Sequence, residues 1–384
     1  MSVLHSARLV LPIGVVEDGW IAVTHSRITA VGSGDADRPP RADGHEEIDL
    51  GGRWVVPGFV DLHVHGGGGK SLTSGDADEA LGALALHRAH GTTTTLASLL
   101  TAPIGDIVRG ASVLADLADD GHIAGIHLEG PFLSHIRCGA QDPASLLAPD
   151  RAALDRMLTA ARGHVRQVTI APELPGAIDL IRQVVDAGAV AAIGHTDATY
   201  DQTLAGLEAG ARLATHLFNG MRGVHHREPG PVAALLEHPD TVVELVTDGV
   251  HLHDAVTAMV FRHVGAERVA MITDAMAAAG ARDGTYPLGP QMVHVQNGVA
   301  LLEGTQAIAG STLTLDSALR RVVNAGVSIV DAVTALSATP ARVLGLTGEV
   351  GALVPGLVAN LLVLDADLAV EGIMVDGDWE RKPQ

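Results

Sequence analysis

Lysine is almost missing from this chain: 384 residues contain only Lys70 and Lys382. Aromatic residues are 2% of the total although hydrophobic residues are 47%. The core therefore has to be built from alanine, valine, leucine and isoleucine, a composition that suits an α/β protein with buried parallel strands. The single cysteine, Cys138, excludes an internal disulfide and fits a reducing, cytoplasmic setting. No apolar run approaches the roughly 20 residues of a membrane helix. The opening M-S-V-L-H-S-A-R-L-V lacks a secretory apolar stretch. Positive charge is scarce, with a formal net charge of -20. Nucleic acid and anionic membrane are thus not expected as partners, and an anionic substrate would need local arginine or histidine. Phosphate-loop motifs are absent too. No G-x-G-x-x-G follows an early strand, and G-G-K-S at residues 68–71 has Val64 where such a loop needs glycine.

The sequence does contain short strands at both ends and an alternating middle. Residues 7–10, 20–25, 27–31 and 46–50 read as strands between Gly, Pro and Asp turn signals, and so do 361–365 and 371–375. Strands at both termini predict one small β-sandwich built from residues 1–57 and 345–384. Between them, strand candidates at 55–63, 92–100, 123–129, 165–170, 190–195, 213–216, 242–248 and 268–274 alternate with helix candidates at 76–90, 104–117, 150–161, 177–187, 201–209 and 254–264. Eight such units over 58–344 predict a (β/α)8 barrel of the TIM type; a doubly wound sheet is the competitor. A hairpin insertion is expected near 284–304, turning at Asn297-Gly298, with closing helices at 316–325 and 329–336.

In V-V-P-G-F-V-D-L-H-V-H-G-G-G-G, strand alternation points His63 and His65 to one face, where two imidazoles can grip one metal ion. A barrel carries its chemistry at the C-terminal strand ends. Those ends supply His63 and His65, then Glu129, His195, His216 and Asp274. A histidine at a strand end can also cap a helix, and Asp274 can be an N-cap, but six such groups at one rim point to metal. The donors suit zinc first, with iron, manganese or cobalt as alternatives. In many metal-dependent barrels a carbamylated lysine bridges two ions. Neither lysine lies at a strand end, so the bridge falls to Glu129, with His63, His65, Glu129 and Asp274 on one ion and Glu129, His195 and His216 on the other. Such ions bring the pKa of water toward roughly 7. Asp274 is the candidate general base and acid, and the reaction class is metal-dependent hydrolysis of an amide-type C–N bond.

P-G-F-V-D-L-H-V-H-G, H-L-E-G-P-F, I-G-H-T-D-A, T-H-L-F-N-G-M, R-E-P-G, D-G-V-H and I-T-D-A-M-A-A-A-G follow one another along the chain. In these motifs the chain resembles the N-acetylglucosamine-6-phosphate deacetylase family of the amidohydrolase superfamily over nearly its whole length. The resemblance implies deacetylation of N-acetyl-D-glucosamine 6-phosphate to D-glucosamine 6-phosphate and acetate, within amino-sugar breakdown and cell-wall recycling. It implies a homodimer. It also places Asn219, Gly220 and His251 on the phosphate, with Arg227 reaching a neighbouring subunit's site, and Ile308, Ala309 and Gly310 along the sugar. Some members lack the H-x-H pair and use one metal; this chain keeps it, so two divalent ions per subunit are expected. Ala140 and Gln141 fall in the loop after E-G-P, where the family usually has histidine at the position of Gln141. A glutamine amide can donate to an oxyanion but carries no charge, which leaves His135 and Cys138 of the same loop as lid candidates. The alternatives are a deacetylase of N-acyl amino acids or of another N-acetylhexosamine phosphate, and a non-catalytic barrel that binds without turnover.

Overall fold

The computed structural model describes residues 1–34, 38 and 46–383. Eight parallel strands line the central core: β1 (Phe59–Asp61), β2 (Thr92–Leu99), β3 (Gly125–Glu129), β4 (Val165–Ile170), β5 (Val190–Ile193), β6 (Leu213–Ala214), β7 (Val242–Val246) and β8 (Val269–Ile272). Each is hydrogen-bonded to the next in chain order. Their residues are buried almost without exception, as strands covered on both faces require. Helices cover the outside. Ala177–Asp186 buries Leu180, Ile181 and Val184 on one stripe. Helix α1 (Ala77–Ala89) starts where the Asp76 side chain accepts from the Glu79 N–H, and carries His87 in its last turn.

The barrel is the expected one, and its closure is informative. No ladder joins β8 to β1 within the strands. Just beyond their ends, Val64 and Ala275 form a parallel bridge. Asp274 N–H donates to the His63 carbonyl at 2.8 Å, and His65 N–H to the Ala275 carbonyl at 2.8 Å. The seam is therefore made by the backbone of residues whose side chains form the site described below.

Strands from both termini share one sheet. Ser2–Leu11 pairs with Gly14–Thr24 on one side, and with Glu46–Asp49 and Trp54–Pro57 on the other. Leu361–Leu364 adds to Trp54–Pro57 and leads to Val370–Val375 and Asp378–Arg381. Leu4, Leu9, Ile21, Val55, Leu361, Val363 and Met374 form its core.

Three expectations need correction. The stretch 55–63 is two strands in two sheets: Trp54–Pro57 pairs with Leu361–Leu364 and Phe59–Asp61 with β2, and Gly58 between them packs where a Cβ would lie 2.2 Å from Thr93 Oγ1. The insertion has three strands, Gly284–Leu288, Gln291–Gln296 and Val299–Leu302. Its Asn297-Gly298 turn is as expected, with φ of 53° and 74°. The second closing helix ends at Val333 and widens into a π-helical turn, Thr334–Ala338.

Candidate active site and metal centre

The side chains of His63, His65, Glu129, His195, His216 and Asp274, dispersed over 212 residues of sequence, meet at one end of the barrel, all of them buried. They fall into two groups, His63 with His65 and Asp274, and Glu129 with His195 and His216. Glu129 stands between them. Its Oε1 lies 3.1 Å from His195 Nε2 and 3.0 Å from His216 Nε2, while Oε2 lies 3.2 Å from His65 Nε2. Asp274 Oδ1 is 3.5 Å from His63 Nε2 and 3.4 Å from His65 Nε2.

Backbone conformation aims three of these side chains. His195, His216 and Asp274 have φ of 45°, 29° and 48°, a region that costs a residue with a Cβ about 1–3 kcal/mol. Hydrogen bonds hold each of them there. Asp274 N–H donates to the His63 carbonyl and His216 N–H to Glu244 Oε2 at 3.2 Å. The His195 carbonyl accepts from Ser134 N–H at 2.9 Å.

The donor set fits divalent cations. His65 Nδ1 donates to the Ser98 carbonyl at 3.2 Å, and His195 Nδ1 to the Arg137 carbonyl at 2.8 Å. In both rings the Nε2 lone pair is thereby turned inward. His63 and His65 place their Nε2 atoms 3.0 Å apart, and His195 and His216 place theirs 3.1 Å apart. Converging lone pairs and carboxylate oxygens with no thiolate among them form a nitrogen and oxygen cradle for zinc or a similar ion.

Electrostatics agree. Burial alone would raise the Glu129 carboxyl, but the charge on His63 and bonds from His195 and His216 hold it well below the usual carboxylate range. Asp274 is likewise held low against burial by His63 and His65. Burial would lower the imidazoles, yet the two carboxylates raise His63 well above its ordinary value and raise His65 and His195 as well. His127, stacked edge-on against His63, is driven well below by burial and by that neighbour.

The centre opens into a cavity of about 320 Å³ that is also lined by Gly139, Ala140, Gln141, Asn219, Gly220, His251, Ile308 and Gly310. Burial would depress His251, but the bond and charge of Asp248, 2.7 Å away, raise it. Ala309 is buried in the core under the insertion rather than on the cavity wall. Gln141 is already committed. Its Nε2 donates to Glu129 Oε2 at 2.7 Å, and its Oε1 accepts from Thr101 N–H at 2.8 Å. In this geometry one of its amide N–H groups braces the central carboxylate. His135 and Cys138 belong to a short turn outside the cavity wall, and partial burial pushes the Cys138 thiol up, away from thiolate. Arg227 is exposed on the loop beyond Gly220, with Nη1 2.8 Å from His226 Nε2.

Several cavity and support residues were not singled out from sequence: Leu100, Leu288 and Gln306 on the wall, and Ser98 and Glu244 behind the imidazoles. Only Glu244 carried a signal, an acid inside the apolar run V-V-E-L-V.

A model of the amidohydrolase family matches residues 54–379. The chain belongs to the amidohydrolase family. Among solved structures, N-acetyl-D-glucosamine-6-phosphate deacetylase from Mycobacterium smegmatis, in a substituted form bound to N-acetyl-D-glucosamine-6-phosphate, aligns with TM-score 0.94 and 46% identity over 99% of both chains. N-acetylgalactosamine-6-phosphate deacetylase of Escherichia coli O157:H7 is 34% identical over 98% of both chains. N-acetylglucosamine-6-phosphate deacetylase of Vibrio furnissii is 36% identical over 91% of this amidohydrolase and 87% of the relative.

Proposed function

We propose that this amidohydrolase removes the acetyl group from N-acetyl-D-glucosamine 6-phosphate, releasing acetate and the amino-sugar phosphate. The observation that carries the reading is a single cavity with the six-donor centre at its base and Asn219, Gly220 and His251 on its wall. The mycobacterial relative bound to N-acetyl-D-glucosamine-6-phosphate supports it.

His63, His65 and Asp274 would hold one divalent ion and Glu129, His195 and His216 the other, with Glu129 between them; zinc fits best. When bound, such ions lower the pKa of water toward roughly 7 and polarise a carbonyl. Asp274 stays ionised at neutral pH, so Oδ1 can take a proton and return it to the departing amine nitrogen. The Asn219 amide, the Gly220 N–H and the His251 imidazole bind the phosphate, and Asp248 favours the cationic form of His251. Ala140, Ile308 and Gly310 shape the sugar pocket.

A homodimer is part of the reading. Arg227, exposed in its own chain, would complete the phosphate site of the neighbouring subunit. Residues 1–57 with 345–384 would form one domain and 58–344 the catalytic barrel. The lone cysteine favours a cytoplasmic place.

The galactosamine-type relative supports a second reading, in which the 4-epimer is the better substrate. Turnover of both epimers and of unphosphorylated N-acetylglucosamine separates these. Phosphorylated N-acetylglucosamine should lead. Equal rates with and without phosphate would remove the phosphate assignment, and a lead for the galactosamine epimer would favour the second reading. Arg227→Ala should raise KM for the phosphorylated substrate while kcat falls less.

A further inference from the structure

Glu244 lies where the pattern of β7 offers no reason for an acid. Val242–Val246 is buried throughout, and Glu244 is fully out of contact with water. A carboxylate there is unfavourable unless donors meet it, and each of its oxygens is met. Oε1 accepts from Gln167 Nε2 at 2.8 Å. Oε2 accepts from His216 N–H at 3.2 Å and lies 3.3 Å from His63 Nδ1. Among the described residues, His63 is the one titratable side chain within ion-pair distance of Glu244.

The support behind the four imidazoles is unequal. His65 and His195 are oriented by backbone carbonyls, which any residue at Ser98 or Arg137 would supply. His216 Nδ1 has no partner among the described residues. Among the described residues, only His63 has its Nδ1 met by a side chain. With Nδ1–H donated to Glu244, His63 has its Nε2 lone pair free on the side that faces Asp274 and Glu129. With the opposite tautomer, Nε2–H would point into the centre and a cation could not be bound there.

We propose that Glu244 is a positioning residue that selects the metal-binding tautomer of His63, and so controls the affinity of the His63–His65–Asp274 position in particular. This rests on the two-ion reading above. The substitution Glu244→Gln keeps the size and an acceptor for Gln167. With its amide nitrogen in place of Oε2 it presents an N–H to His63 Nδ1, which favours the wrong tautomer, and the His216 N–H loses its acceptor; a His63→Ala background separates the two effects.

The test reads metal rather than turnover. Zinc is removed from the folded protein, and the affinities of both positions are measured by competition with a chromophoric chelator. Melting confirms that each variant is folded. Glu244→Gln should lose about 10–100-fold in affinity at the His63–His65–Asp274 position and less at the other, where the His216 N–H loses its acceptor. In a His63→Ala background the same substitution should add no further loss at that position. Unchanged affinities, equal weakening of both positions, or a full additional loss in the His63→Ala background would each overturn the proposal. A wild-type protein that takes up fewer than two zinc ions would instead refute the two-ion reading.

Discussion

At the scale of the residue, position in the network decides which polar groups matter. Asp274 faces the cavity and both imidazoles of the H-x-H pair. Asp274→Asn should cut kcat by about 100-fold or more, measured by acetate release at saturating zinc. Gln141 acts differently. Gln141→Ala would leave the Thr101 N–H buried without its acceptor and release Glu129. A cost of about 1–3 kcal/mol follows, read as a lowered Tm, with a smaller kcat loss than Asp274→Asn. The raised imidazoles set the pH dependence of metal binding. Protons held by His63, His65 and His195 in the metal-free protein compete with the cation. Zinc affinity should therefore rise with pH, and binding should release protons, which calorimetry in buffers of different ionisation enthalpy will detect.

At the scale of the element, α1 buttresses the glycine loop that follows the H-x-H pair. His87 is buried, and its Nε2 donates to the Gly66 carbonyl at 2.9 Å. Burial pushes its pKa down to about 4. The unfolded chain takes up this proton near the ordinary value of about 6.5. The contribution to stability is thus complete above about pH 6.5 and is lost as pH falls through about 4, to the extent of about 3 kcal/mol. His87→Gln keeps a donor but does not titrate, so its stability profile in denaturant should be flatter over that range. Gly66 is equally constrained. A Cβ there would lie 2.5 Å from the Lys70 carbonyl oxygen and 2.9 Å from Ala277 N. Gly66→Ala should push the loop off the 277–279 backbone and lower both stability and zinc affinity.

At the scale of the whole molecule, the candidate metal centre and the closure of the barrel are one place. The seam between β1 and β8 consists of the Val64–Ala275 bridge and the backbone bonds of His63, His65 and Asp274. Filling each position at 100 times its Kd would stabilise the fold by about 2.7 kcal/mol. Chelation should therefore lower Tm by roughly 6–7 °C, taking an unfolding entropy of about 2 cal/mol/K per residue. Hydrogen exchange should rise first at residues 63–65 and 273–276. Exchange that rises uniformly, or at the termini first, would argue against a metal-closed seam.

The sequence by itself determined the barrel, the sheet shared by both termini and the six candidate donors that meet at one end of it. Strand alternation and the rule that barrels carry chemistry at strand ends are local and periodic, and so are readable in His63, His65, Glu129, His195, His216 and Asp274. It did not reveal what stands behind those donors. Gln141 braces Glu129 from 12 residues away and Glu244 meets His63 across 181, and no periodicity links residues that meet only because a sheet has closed. Tertiary structure alone decided that Cys138 stays off the cavity wall, that 55–63 splits between two sheets, and that the backbone of the candidate metal centre is also the seam. Each depends on distances across the barrel, which are set when strands pack side by side and are written in no single stretch of chain.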